Sequence, residues 1–209
     1  ELIVPFGKTQ DFTPFIAKIK ASGADTVLTG NWGPDLVRLI KYAAGANLPV
    51  QFYTIYGGLT SSVAGYGADA HKISLKQINE YHENDGNIAA DALAFGNAYL
   101  EKYKDTWYSD RYRWLVGMLA AAIDKAGSDD PVAVGQALEG LTFPGPLGEV
   151  QMRASDHQIQ TPLMVSSLSR DYKMPIMYKG NNFKIAFATD GVINREDTTL
   201  PTTCDMQRP

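Results

Sequence analysis

Asn31 and Trp32 stand side by side in a turn bounded by glycine, Gly30-Asn31-Trp32-Gly33, and Pro34 then opens a helical pattern. An indole offers a broad apolar face with one N–H donor, and a carboxamide both donates and accepts. A helix starting on Pro34 adds free backbone N–H groups and partial positive charge, which favour a carboxylate. Such residues bind a small polar molecule. A second cluster, Tyr56 with Thr60, Ser61 and Ser62, lies around the next glycine-bearing loop, "YGGLTSS". On the residues alone, the alternative that Trp32 and Tyr56 simply cover a sheet edge stays open.

Residue types for bond-breaking chemistry are scattered by contrast. His71, His82 and His157 lie far apart, none in a metal-ligand spacing such as HExxH, and read as solvated or structural. The sequence holds no GxSxG elbow, Walker A loop or EF-hand loop. "GYGADA", residues 65–70, matches GxGxxA in its letters but follows a loop and opens no βαβ unit, so no dinucleotide is expected. Glu80, Glu83 and Asp85 read as a solvated acidic turn. No catalytic residue, metal or cofactor is therefore expected, and a binding module is favoured over an enzyme.

Composition narrows the partners. The 209 residues carry 19 Lys+Arg against 23 Asp+Glu, a net charge of -4, with 44% hydrophobic residues. The scattered basic residues argue against a nucleic-acid groove, which needs clustered cations to neutralise phosphates. The longest apolar candidate, Trp114 to Ile123, is far short of the roughly 20 residues that span a bilayer and reads as a buried helix. Glu1 opens directly into "ELIVPFG" without Met or a signal peptide, as expected of a processed or trimmed product. The lone cysteine, Cys204, lies near the C-terminus.

These residues must be held by elements that the periodicity outlines. "ELIVP", "DTVLTG", "PVQFYTI" and "HKISLKQI" read as strands. Between them, Phe12, Phe15, Ile16 and Ile19 form one helical stripe ending at Ser22-Gly23, and Leu36, Val37, Ile40 and Ala44 form another. Alternation of this kind predicts a parallel sheet flanked by helices. Ligands in such sheets sit beyond the carboxyl ends of strands, where both polar-aromatic loops fall. The middle predicts three helices: a stripe of Ile88, Ala92, Phe95 and Tyr99, a broad one from Trp114 to Ile123, and a helix capped by Asp129, Asp130 and Pro131 that stops at Gly140. "GEVQMR", "PLMVSSLSR" and "KMPIMYKG...FKIAFA" then read as strands, with "GNN" at 180–182 a hairpin signal, before an extended tail. The three middle helices have too few strands nearby to cover, so part of the fold is expected to be missing.

The order and wording of "DFTPFIAKIKASGADTVLTGNWGPDLVRLIKYAAGANL", "QFYTIYGG", "GSDDPVAVGQALEGLTF" and "GEVQMRASDHQ" resemble the solute-binding proteins of branched-chain amino acid (Leu/Ile/Val) ABC transporters. These are type I periplasmic binding proteins. The resemblance spans essentially the whole chain and implies an α/β fold of two lobes joined by three crossover strands, with much of the N-terminal lobe missing. Residues 1–83 and 161–190 would form ligand-binding lobe two, 84–160 the C-terminal portion of lobe one, and 191–209 a tail.

The resemblance also assigns roles. It implies a periplasmic subunit that captures a small molecule between its lobes and delivers it to an ABC permease. The missing segment of its own fold, or a swapped second chain, would complete it. Trp32 matches the family's lobe-two aromatic, beside Gly30 and Asn31. Tyr112 matches a lobe-one aromatic, with Arg111 adjacent. Tyr56 falls where amino-acid binders keep an acid for the α-ammonium group, which points to a carboxylate with an apolar or aromatic body. Cys204 fits a disulfide to the missing segment. A sensory domain of the same fold, or an α/β enzyme, is the alternative.

Overall fold

The computed structural model describes residues 1–55, 57–58, 60–82, 84–85, 87–170 and 185–207. Phe12, Ile16 and Ile19 recur at helical spacing on α1 (Thr13–Ser22) and are all buried. Gly23 ends that helix at φ 70, a conformation in which a Cβ would be strained, and its N–H reaches Lys20 O. The short strand β1 (Thr26–Leu28) follows, then α2 (Gly33–Gly45) and β2 (Gln51–Thr54). Helix α3 (Thr60–Tyr66) and a 3-10 turn (Ala68–Lys72) lead to β3 (Ser74–Asn79). These three strands pair in parallel, with Val27 opposite Phe52 and Phe52 opposite Leu75.

A helical layer comes next: α4 (Ala90–Tyr103), α5 (Arg111–Ala126) and α6 (Pro131–Leu138). The expected cap of α6 is present, since the Asp130 carboxylate accepts from the N–H groups of Val132 and Ala133. A small antiparallel sheet follows, made of β4 (Thr142–Gly145), β5 (Gly148–Met152) and β6 (Ile159–Gln160). The chain then returns to the first sheet as β7 (Leu163–Ser169) and β8 (Ala186–Ile193), and ends in α7 (Arg195–Thr198) and an irregular tail carrying the exposed Cys204. The main sheet is ordered β1-β2-β3-β7-β8, with β7 and β8 antiparallel.

The main core is built from one side of each helix against this sheet: Phe12 and Ile16 from α1, Leu36 and Ile40 from α2, Val63 from α3, and Phe52, Leu75 and Phe187 from the strands. Each such burial is worth roughly 1.5–3 kcal/mol before chain entropy is subtracted. A second cluster joins Trp114 and Met118 of α5 to Val150 and Met152 of β5.

Three expectations change. "ELIVP" forms no strand: Leu2 and Ile3 are exposed and only Val4 packs on the core, because no neighbouring strand engages its backbone and Pro5 lacks an amide to donate. The sheet is mixed rather than parallel, because β7 and β8 re-enter it as an antiparallel pair. The stretch Thr142–Gly145 is a strand that its Pro and Gly content concealed. The hairpin expected at 180–182 and the strand from Lys173 lie outside the described residues.

Candidate functional site

Residues from separate parts of the chain converge on a cavity of about 230 Å³ lined by Trp32, Ile55, Gly58, Gln77, Asn79, Glu80, Tyr108, Ser109, Arg111 and Tyr112. The first six follow or end the parallel strands, and the last four open α5. This is the strand-end position expected for a ligand in an α/β sheet. A larger cavity, about 710 Å³, lies where the tail residues Leu200 to Cys204 pass over β6. Its charged lining residues Arg153 and Asp156 already pair with one another. The smaller cavity is the better candidate, because it gathers aromatic and charged groups from elements far apart in sequence.

Trp32 is the N-cap of α2 in an extended conformation, and its ring stacks on Phe6 with centroids 4.7 Å apart and planes 13° from parallel. Asp35 holds that arrangement together. Its buried carboxylate accepts from Gly7 N at 2.7 Å and from Arg38 Nη1 at 3.2 Å, which ties the turn carrying Phe6 to the start of α2. The helix N-terminus thus already has a carboxylate in its first turn.

Among the sequence-predicted residues, the structure brings Trp32, Arg111 and Tyr112 to the cavity. Gly30 and Asn31 do not line it: the Asn31 side chain turns back on its own loop, where Oδ1 accepts from Thr29 Oγ1 at 2.9 Å. Tyr56 and the side chains of Thr60 and Ser61 lie outside the described residues, and Ser62 is buried away from the cavity lining.

Glu80 is the residue whose expected setting changes most. Rather than standing in a solvated turn, it is 7% exposed, and both of its oxygens are bound by one guanidinium: Arg111 Nε at 2.6 Å and Nη2 at 2.8 Å. This bidentate pair fixes the end of β3 to the first turn of α5 across the cavity. Glu80 and Arg111 cancel in charge, so the wall presents a dipole rather than a net charge. Arg111 is itself placed by its neighbours. Asp110, fully buried, binds Arg113 at 2.8 and 3.0 Å, and Arg113 reaches Asp91 of α4 at 2.8 Å.

The sheet beneath carries a polar row, buried at Thr54, Gln77 and Ser166. Thr54 of β2 lies opposite Gln77 of β3, Gln77 opposite Ser166 of β7, and Ser166 opposite Thr189 of β8, so the four side chains share one face. At its far end Thr189 hydrogen-bonds both the His82 ring Nε2, at 2.9 Å, and the Asp85 carboxylate. The Nδ1 of His82 accepts from Asn84 N–H at 3.2 Å. Burial holds the His82 ring down to about 4, against an opposing pull from Asp85. Asp85, expected to be solvated, is buried with it. Among the described residues no group of three or more His, Cys, Asp or Glu could hold a metal, and no helix is long and apolar enough to cross a membrane.

Comparison with known proteins bears on the fold. Residues 2–173 match a family model described as periplasmic binding protein. The Leu/Ile/Val-binding protein homolog 4 of Brucella melitensis is 26% identical over 206 residues, covering 97% of this chain and 49% of the relative. The chain thus spans about half the length of the curated relatives it matches. A leucine-, isoleucine-, valine-, threonine- and alanine-binding protein from Brucella ovis, solved in a closed conformation, superposes with a TM-score of 0.84 at 25% identity, over 99% of this chain and 53% of that one. An ABC transporter solute-binding protein from R. palustris, solved with benzoate, shares the fold at a TM-score of 0.68 and 21% identity, over 90% of this chain and 48% of its own. The match over most of its length places this chain in the periplasmic binding protein family, with the type I fold.

Proposed function

We propose that this chain is part of an extracytoplasmic solute-binding protein of an ABC importer, which captures a small carboxylate-bearing molecule without altering it and delivers it to a membrane permease. The observation that carries the reading is the cavity bridged by the Glu80–Arg111 pair, where strand ends meet the start of α5. Residues 1–83 and 161–190 act as one lobe and 84–160 as part of the other, with the remainder of the second lobe supplied by a further segment or a swapped second chain. Closing the two around a ligand would desolvate it against Trp32, Tyr108 and Tyr112.

The ion pair favours an amino-acid-like ligand over a plain aromatic acid. A zwitterion lying along the pair places its ammonium near Glu80 and its carboxylate near Arg111, whereas a monoanion gains at one end and loses at the other. Glu80 thus supplies an acid in the cavity where Tyr56 does not.

The test is calorimetry and thermal shift on the full-length protein with leucine, valine, threonine, alanine and benzoate. A bound ligand at one hundred times its Kd stabilises the folded state by about 2.7 kcal/mol. Saturable binding with unchanged ligand recovered supports the reading. Chemical turnover of a bound compound, or binding that survives replacing Trp32 and Arg111 with alanine, overturns it.

A further inference from the structure

Gln77 is fully buried, lines the cavity, and has no hydrogen-bond partner on either its Nε2 or its Oε1. Asn79, two residues on and on the same face of β3, donates from Nδ2 to Tyr81 O at 2.6 Å, but its Oδ1 is also buried without a partner. Opposite Gln77, the Ser166 hydroxyl is buried and unpaired as well. A buried polar group left unpaired costs more than the mean hydrogen bond contributes, and three such groups side by side are not a packing accident. Leu75, one step earlier on this face, is apolar and belongs to the core, so the change to Gln77 and Asn79 comes where β3 reaches the cavity. Gly58 passes close over the amide: a Cβ there would lie 2.7 Å from Gln77 Oε1.

We propose that Gln77 and Asn79 form a specificity subsite for the inner end of the ligand, which carries a neutral group that both donates and accepts. A carboxamide fits best: its N–H groups reach the two orphaned oxygens, and its carbonyl accepts from Gln77 Nε2. A carboxylate there meets two acceptors, and a hydrocarbon end leaves Gln77 and Asn79 unpaired, so both are rejected. The ligand class is a zwitterionic amino acid with a carboxamide-bearing side chain. This rests on the solute-capture reading above, and it selects among amino acids, which that reading does not.

The experiment is calorimetry on the full-length protein with four probes: L-glutamine, its apolar near-isostere L-leucine, its charged isostere L-glutamate, and benzoate. The expected result is glutamine binding about 100-fold more tightly than leucine or glutamate, because a site built to hydrogen-bond rejects analogues that leave it unpaired. Gln77→Leu abolishes the preference while raising the melting temperature of the ligand-free protein, a pairing that a purely structural role would not produce. The wild-type ranking needs no variant to fold. Leucine or benzoate binding as tightly as glutamine overturns the subsite and leaves solute capture standing, as does a preference for glutamine that Gln77→Leu leaves intact. No binding of any probe overturns both.

Discussion

Arg111 is half exposed, yet the carboxylate it covers is buried, and that asymmetry sets what each substitution does. Arg111→Ala strands a buried negative charge, whereas Glu80→Gln leaves a guanidinium that water can reach. Urea denaturation should find Arg111→Ala the worse single change, costing about 1–3 kcal/mol, with the double variant less destabilised than Arg111→Ala alone. Equal and additive losses would contradict the pair. His82 makes a separate prediction. Its folded value of about 4 lies below the ordinary 6.5, so its contribution is fully present above pH 6.5 and is lost as pH falls towards 4, by about 3 kcal/mol at most. The geometry gives the reason: an imidazolium would turn a proton on Nδ1 against the Asn84 N–H that now donates to it. His82→Gln should flatten the acid limb of a stability-against-pH curve measured from pH 7 to 4. Trp32, Arg111 and Tyr112 were legible as residues of the candidate cavity because each sits at the turn or helix start that the family pattern marks. Glu80 and Gln77 were not. Nothing in "NEYHEND" says which acid is buried, since that depends on Arg111, 31 positions away, and a lone Gln in a strand reads as half-exposed until its neighbours are known.

At the scale of elements, periodicity located α1, α2, α4, α5 and α6 from their apolar spacing and local stops, but α3 (Thr60–Tyr66), read as a loop, is a helix whose Val63 and Tyr66 are buried. The Phe12-Ile16-Ile19 stripe, the Gly23 terminus and the Asp130 cap are all decided within a few residues of chain. Strands depend on distant partners, which is why "ELIVP" looked like one and is not, while β4 hid behind Pro144 and Gly145 and forms because Val150 lies opposite Phe143. The contact between α5 and β4 is tight enough to test. A Cβ on Gly117 would lie 2.3 Å from the Phe143 ring and 2.8 Å from a second atom of it, so the ring must move. Gly117→Ala, although it favours helix, should therefore destabilise the protein by about 1–3 kcal/mol in thermal or urea unfolding. Pairing it with Phe143→Leu should recover part of the loss.

On the scale of the whole molecule, α5 carries two adjacent apolar stripes with different fates. Trp114, Met118 and Ala122, four residues apart, are buried against β5 and α6. Leu115, Leu119 and Ile123 repeat the same spacing one position round the helix and are 38%, 48% and 37% exposed, with Val116 beside them at 68%. The sequence announced a stripe too broad for the strands available, and the structure divides it into a half that is covered and a half that is not. A continuous apolar helix face is rarely left open on a monomer, and the chain spans about half the length of the curated relatives it matches. The 209 residues produced alone should therefore self-associate at micromolar concentration. Light scattering would report a mass above one chain, and Leu119→Glu with Ile123→Glu should shift it towards the monomer with little change in helical content, since neither side chain belongs to the covered stripe. A monodisperse single-chain mass for the unaltered sequence, with stability unaffected by dilution, would mean that this face tolerates water and that nothing need cover it.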